Sequence, residues 1–275
     1  MSEVRSADGT RIAYERIGDG PPVILVDGAL CSRTMGPMAP LAALLADRYT
    51  VYRYDRRGRG ESGDTQPYAV EREVEDIAAL IDAAGGPVRV YGTSSGAALA
   101  LEAANRGLAI GKLALYEAPF IVDDTRTPLL EDYRAGLTLC LTENRRGDAV
   151  AHFMKAVGVP GPFVFLMRLT PMFSKLKAVA HTLPYDSAIV ADHQRGRPLP
   201  KDRWTFSGPI LVAVGGKSPT WMRNAMEALT NVLPSAELRT IAGQTHMVSE
   251  KAIAPLLGDF FIEGAPSVAA TGARR

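Results

Sequence analysis

The chain has 275 residues, 47% apolar and 22% charged, with 31 basic against 30 acidic side chains and a net charge of +1. This is the balance of a soluble globular protein with room for one large core, and it offers no electrostatic case for a nucleic acid or an acidic membrane surface as partner. No apolar run reaches the roughly 20 residues that span a bilayer, the opening Met1-Ser2-Glu3-Val4-Arg5 lacks the basic-then-apolar pattern of a signal peptide, and Cys31 and Cys140 are too few for a disulfide framework. The expectation is a cytoplasmic protein that acts on a small molecule and needs no cofactor or metal. A homo-oligomer is left open.

In chain order, Ile12–Ile17 alternates like an early antiparallel strand, and Gly18-Asp19-Gly20-Pro21-Pro22 is a turn cluster. Val23–Val26 is a short apolar run of the kind buried in a parallel sheet. A helix from Met38 to Ala46 carries Leu41, Leu44 and Leu45 on one face, Thr50–Tyr54 reads as a strand, and Glu71–Ala84 as a helix apolar at Val74, Ile77, Ala78 and Ile81.

The apolar run Val88–Tyr91 then leads into Gly92-Thr93-Ser94-Ser95-Gly96, and Ala97–Ala104 follows as a helix. A serine on so sharp a strand-to-helix turn is held exposed and strained, and only small neighbours let the backbone pass. The helix N-terminus also aims its amides at negative charge developing beside the serine. Ser94 is therefore the candidate nucleophile.

Leu113–Tyr116 reads as the next strand, and Ile210–Val214 and Leu238–Ile241 as the last two, each followed by a helix, at Met222–Leu233 and Ser249–Phe261. Strands alternating with helices argue for a mostly parallel sheet covered on both faces. The rhythm stops between about Asp124 and Trp204, a stretch too long and too apolar to be a loop. Helical pieces at Leu129–Leu141 and Val150–Val157 suggest an inserted cap over the sheet's active edge. The expected division is thus a core at 1–123 and 205–264, a helical cap at 124–204, and a frayed tail at 265–275.

Four motifs in order carry a family resemblance. Val23–Val26 runs into Asp27-Gly28, Asp55-Arg56-Arg57-Gly58-Arg59-Gly60-Glu61-Ser62 forms a glycine-rich turn, the Ser94 turn follows, and His246 stands alone in the last strand-to-helix loop. In these the chain resembles the α/β-hydrolase superfamily over nearly its whole length. The resemblance implies an α/β-hydrolase fold with a helical cap and a nucleophile–acid–histidine order along the chain. His246 would be the base, because the other histidines, His152, His181 and His193, all lie in the expected cap.

Two departures from the family pattern stand out. Most relatives place an aspartate after the seventh strand, where this chain has Ser218, and a serine cannot stabilise an imidazolium as a carboxylate does. Some relatives, among them certain haloalkane dehalogenases and lipases, carry the acid after the sixth strand. Glu117 occupies that place here, with Asp123 and Asp124 as alternatives. The second departure is Asp27 where relatives have histidine, which puts a negative charge near a site meant for an oxyanion unless Arg33 or another cation pairs with it. The oxyanion donors implied by the resemblance are the backbone amides of Ala29 and Ser95.

Other residues have plainer readings. Asp55, Arg56 and Arg57 are expected to be architectural, Cys31 an inert packing residue, and Trp221 a wall of the pocket. Phe163, Phe165, Met167, Met172 and Phe173 are expected either to line an apolar cavity or to form the cap's own core. The implied reaction is hydrolysis of an ester or lactone of a small, largely apolar molecule through an acyl-enzyme at Ser94. A serine disfavours epoxide hydrolase and haloalkane dehalogenase chemistry, which need a carboxylate nucleophile. The alternatives on the same fold are C–C bond hydrolase, lyase, acyltransferase and cofactor-free haloperoxidase reactions, or a catalytically silent ligand-binding protein.

Overall fold

The computed structural model describes residues 2–129 and 131–262. The expected tail, 265–275, lies outside them. The first half of the chain builds β1 (Ser2–Arg5), β2 (Arg11–Ile17), β3 (Pro22–Val26), α1 (Met38–Leu45), β4 (Thr50–Tyr54), α2 (Val70–Ala84), β5 (Val88–Thr93), α3 (Ser95–Asn105) and β6 (Ile110–Tyr116). Among the described residues, five α-helices follow before the sheet resumes: α4 (Glu131–Thr142), α5 (Arg146–Ala156), α6 (Gly161–Met167), α7 (Pro171–Val179) and α8 (Leu183–Val190). The chain then returns through β7 (Ile210–Gly215), α9 (Thr220–Val232), β8 (Ala236–Ile241) and α10 (Glu250–Phe261).

The strands form one eight-stranded sheet in the order β1-β2-β4-β3-β5-β6-β7-β8. Only β2 runs antiparallel to its neighbours, and the other adjacent pairs are parallel. The central strands are apolar on both sides because both sides are covered. In β3, Ile24 and Val26 pack with α2, α3 and α9, whereas Val23 and Leu25 pack with α1 and α10. One-residue alternation therefore feeds two cores at once.

The inserted helices have a third core, built from Leu137, Ala149, Val150, Phe173, Leu176, Val179 and Leu183. Leu30, from the loop leaving β3, packs into it, so the sheet's active edge and the insertion share a packed contact. Two local features differ from the sequence reading. β1 is a short edge strand with mostly exposed residues and no apolar alternation to reveal it. Helix α5 starts at Arg146, a turn before its apolar residues begin.

The parallel topology brings the carboxyl ends of β3, β5 and β6 side by side, where ligands bind in open α/β sheets. The exit loop of β3, Ser94 and Glu117 stand at these three ends.

Candidate active site

Ser94 lies between β5 and α3 with φ 55° and ψ −129°, in the left-handed half of conformational space. For a residue with a Cβ this costs on the order of 1–3 kcal/mol, and packing supplies the constraint. A Cβ on Gly96 would come within 2.3 Å of the Val26 carbonyl oxygen, and one on Gly92 within 2.4 Å of the Gly96 carbonyl oxygen. Both glycines are required because backbone passes backbone at contact distance. The Ser94 amide donates to the Tyr116 carbonyl at 2.9 Å, which ties the turn to the end of β6.

The amides of Ser95 and Ala29 donate to no protein acceptor among the described residues. They sit on segments that touch: a Cβ on Gly28 would meet the Ser94 Cβ at 3.0 Å, and one on Gly96 would come within 2.5 Å of the Asp27 carbonyl oxygen. Two unpaired donors beside a half-buried hydroxyl suit a developing oxyanion.

Glu117 follows β6 directly, is fully buried, and is also left-handed with φ 48°. Its Oε1 accepts from the Gly215 amide at 2.7 Å and from the Ser218 hydroxyl at 2.5 Å, while its Oε2 is 2.8 Å from His246 Nδ1. Ser218, in the loop after β7, thus supports the Glu117 carboxylate. The His246 loop is pinned by Tyr116, whose hydroxyl donates to the Thr245 carbonyl at 2.6 Å. The Ser94 hydroxyl makes no hydrogen bond among the described residues, so Glu117 and His246 are joined while the Ser94–His246 link is open.

The two alternative acids stand elsewhere. Asp123 is engaged with Thr125 and with Asn224, at 2.6 Å from the latter's amide nitrogen, and Asp124 is exposed. His152 meets the Tyr133 carbonyl, His181 faces Asp64, and His193 packs between Phe120 and Trp204.

Asp27 is buried, with Oδ1 lacking a hydrogen-bond partner. Burial pushes its carboxyl up to about 7, against the opposing pull of Arg59 and Arg56. Arg33 does not pair with it. That guanidinium instead binds Asp55 at 3.0 Å and Glu15 at 2.9 Å, and reaches Glu61. Cys31 lies nearby, its thiol pushed up by burial and by Asp27, which leaves it a poor nucleophile.

The turn after β4 is a buried ion-pair hub. Arg56 makes a two-pronged contact with Glu73 at 2.7 Å, and Arg57 does the same with Asp76 at 2.9 and 2.7 Å. Both acids lie on the buried side of α2, a face whose apolar spacing alone suggests only packing. Sequence reading missed Asp186 altogether. From α8 it accepts from Arg56 at 2.8 Å, Arg59 at 2.7 Å and the Ser95 hydroxyl at 2.7 Å. Burial opposes its ionisation, yet Arg59 and Arg56 hold the carboxyl below its ordinary range. Arg59 also donates to the Gly28 carbonyl at 2.6 Å, so one acid of the insertion fastens both segments that flank Ser94.

Of the five aromatic and methionine side chains singled out in the insertion, Phe173 is in its core and Met167 packs against that core. Phe163, Phe165 and Met172 face outward and are exposed, so these three belong to no core.

A family model described as the alpha/beta hydrolase family matches residues 23–256. An alpha/beta hydrolase structure from Sphaerobacter thermophilus is 52% identical, covers 94% of this chain and 100% of its own, and superposes with a TM-score of 0.87. An esterase from Exiguobacterium antarcticum, 20% identical with 94% and 98% coverage, shares the fold with a TM-score of 0.70. Among curated proteins, a Mycobacterium tuberculosis protein described as a non-heme bromoperoxidase is 36% identical over 93 residues, which is 33% of this chain and 35% of that protein. The match therefore spans about a third of that relative's length. With the family's extent running from β3 into α10, the chain belongs to the alpha/beta hydrolase family.

Proposed function

We propose that the protein hydrolyses an ester or lactone of a small, largely apolar molecule through an acyl-enzyme at Ser94. The observation that carries this reading is the 2.8 Å contact between Glu117 Oε2 and His246 Nδ1 beside a serine on a strained turn. With Nδ1–H donated to the carboxylate, Nε2 is left to accept the Ser94 proton. The alkoxide attacks the carbonyl, and the Ala29 and Ser95 amides receive the oxyanion. His246 then protonates the leaving alcohol, and afterwards takes a proton from the water that releases the acid. Glu117 orients the ring throughout and balances its positive charge.

The esterase neighbour is too distant to supply a substrate, so the reaction is argued from the site. The match to a protein described as a bromoperoxidase keeps a haloperoxidase reaction at the same serine as the second reading. A panel of p-nitrophenyl esters and lactones tests the first. Turnover is expected, with Ser94→Ala lowering it on the order of 10⁶-fold. A well-folded protein that turns over no ester or lactone contradicts the proposal.

A further inference from the structure

Arg33, Arg56, Arg57 and Arg59 are buried and paired with carboxylates, and Arg126, nine residues beyond Glu117, stands in contrast to them. Arg56, Arg57 and Arg33 are each held by two or more carboxylates. Arg126 is half-buried and forms no ion pair among the described residues. Burial alone acts on it, lowering its affinity for the proton, whereas acids raise that of the other three.

The position of Arg126 gives this a meaning. It lies on the segment leading from Glu117 into the insertion, and its guanidinium stacks on the Trp221 ring at 4.2 Å. Trp221 is in the first turn of α9, just beyond Ser218, whose hydroxyl holds Glu117. One Nη2–H donates to the Ala156 carbonyl at the end of α5, while the other four N–H donors of the guanidinium have no acceptor among the described residues. The guanidinium is thus fixed on one face and at one corner, and its second Nη2–H still forms a parallel pair with a neighbouring N–H on the edge that the Ala156 carbonyl does not occupy. The charged neighbours do not neutralise it. Asp123 is turned to Thr125 and Asn224, and Asp124 is exposed. Lys217 and Arg223 add two further cations, of which Arg223 is bound to the Ser218 carbonyl.

We propose that Arg126 is a substrate-binding residue, and that the ester or lactone taken at Ser94 carries a carboxylate that it receives. A planar, immobilised guanidinium with free donors matches a carboxylate in geometry as well as charge, and Trp221 offers an apolar wall beside it. The inference rests on the hydrolase reading above and narrows its substrate class.

The test compares p-nitrophenyl butyrate with the mono-p-nitrophenyl esters of succinate, glutarate and adipate. In the wild type the best half-ester is expected to exceed the butyrate in kcat/KM by at least tenfold. Arg126→Gln is expected to shrink that ratio at least tenfold, through KM, and Arg126→Lys to restore part of it. A wild type without the preference, or a ratio unchanged in Arg126→Gln, overturns the proposal. If no ester is turned over, the hydrolase reading fails by itself, and calorimetric titration with glutarate decides this one. Binding weakened at least tenfold in Arg126→Gln supports it, and absent or unchanged binding overturns it.

Discussion

Glu117 accepts three hydrogen bonds from a fully buried position, and each restricts what can replace it. Glutamine can keep its oxygen on the Gly215 amide and the Ser218 hydroxyl, which turns its NH₂ towards His246 Nδ1. The ring would then carry its proton on Nε2, the wrong tautomer for accepting one from Ser94. Ester turnover in Glu117→Gln is expected to fall by about 100-fold or more, measured by steady-state kinetics, and an unchanged rate would remove Glu117 from the mechanism. Asp27 makes a different prediction. Its carboxyl rises from an ordinary 3.8 to about 7 on folding, so the folded state holds a proton that the unfolded chain releases. Its penalty on stability is absent below pH 4, grows as pH rises, and is complete above about 7. Relative to the wild type, Asp27→Asn should therefore gain on the order of 2–3 kcal/mol between pH 5 and pH 8, read from urea unfolding at each pH. A difference that does not change with pH would mean that Asp27 is ionised in the fold at all these values. The residues at this scale were unequally legible. The strand-end place of Glu117 could be read from the chain, because Tyr116 closes an apolar run. The compensation of Arg33 by Asp55, Glu15 and Glu61 could not, since it joins residues from three separate segments.

At the scale of elements, periodicity revealed what packs and concealed what is paired. The central strands announce themselves because burial on both faces leaves uninterrupted apolar runs in β3, in β6 from Leu113 and in β7. The α2 helix was equally plain, but its buried face also holds Glu73 and Asp76, acids whose partners Arg56 and Arg57 belong to a distant turn. Hydrophobic spacing carries no information about such pairs. The inserted helices are the least legible part. Their short amphipathic pieces do not disclose which aromatic side chain faces inward. Phe173 is 6% exposed and Phe163 65%, so truncation should separate them. Phe173→Ala is expected to cost about 3 kcal/mol, whereas Phe163→Ser should stay within about 0.5 kcal/mol. Chemical denaturation of the two variants distinguishes them, and equal losses would contradict the packing described for α7.

Over the whole molecule, Asp186 is a buried polar link between the insertion and the core that carries Ser94. It sits in α8 yet binds Arg56, Arg59 and the Ser95 hydroxyl, while Leu30 carries an apolar contact in the same direction. Asp186→Asn leaves Arg59 without a carboxylate in a buried setting, and about 3 kcal/mol of stability should be lost. Because the same group steadies the Gly28 and Ser95 segments, ester turnover should fall as well. A variant with wild-type stability would show that the hub tolerates the missing charge. This long-range link had no signal in the sequence, where Asp186 is one acid in a helix of mixed composition. The fold, by contrast, was legible from four short motifs, since each marks a strand end that the parallel topology places along one edge. The central claim is that Ser94, His246 and Glu117 work as one unit, and reaction with a fluorophosphonate, followed by mass spectrometry, tests it most directly. The account predicts one adduct per chain, on the peptide that contains Ser94, forming at least 100-fold more slowly in Glu117→Gln. A folded protein that takes up no adduct at Ser94, or labels equally fast in both forms, would contradict it.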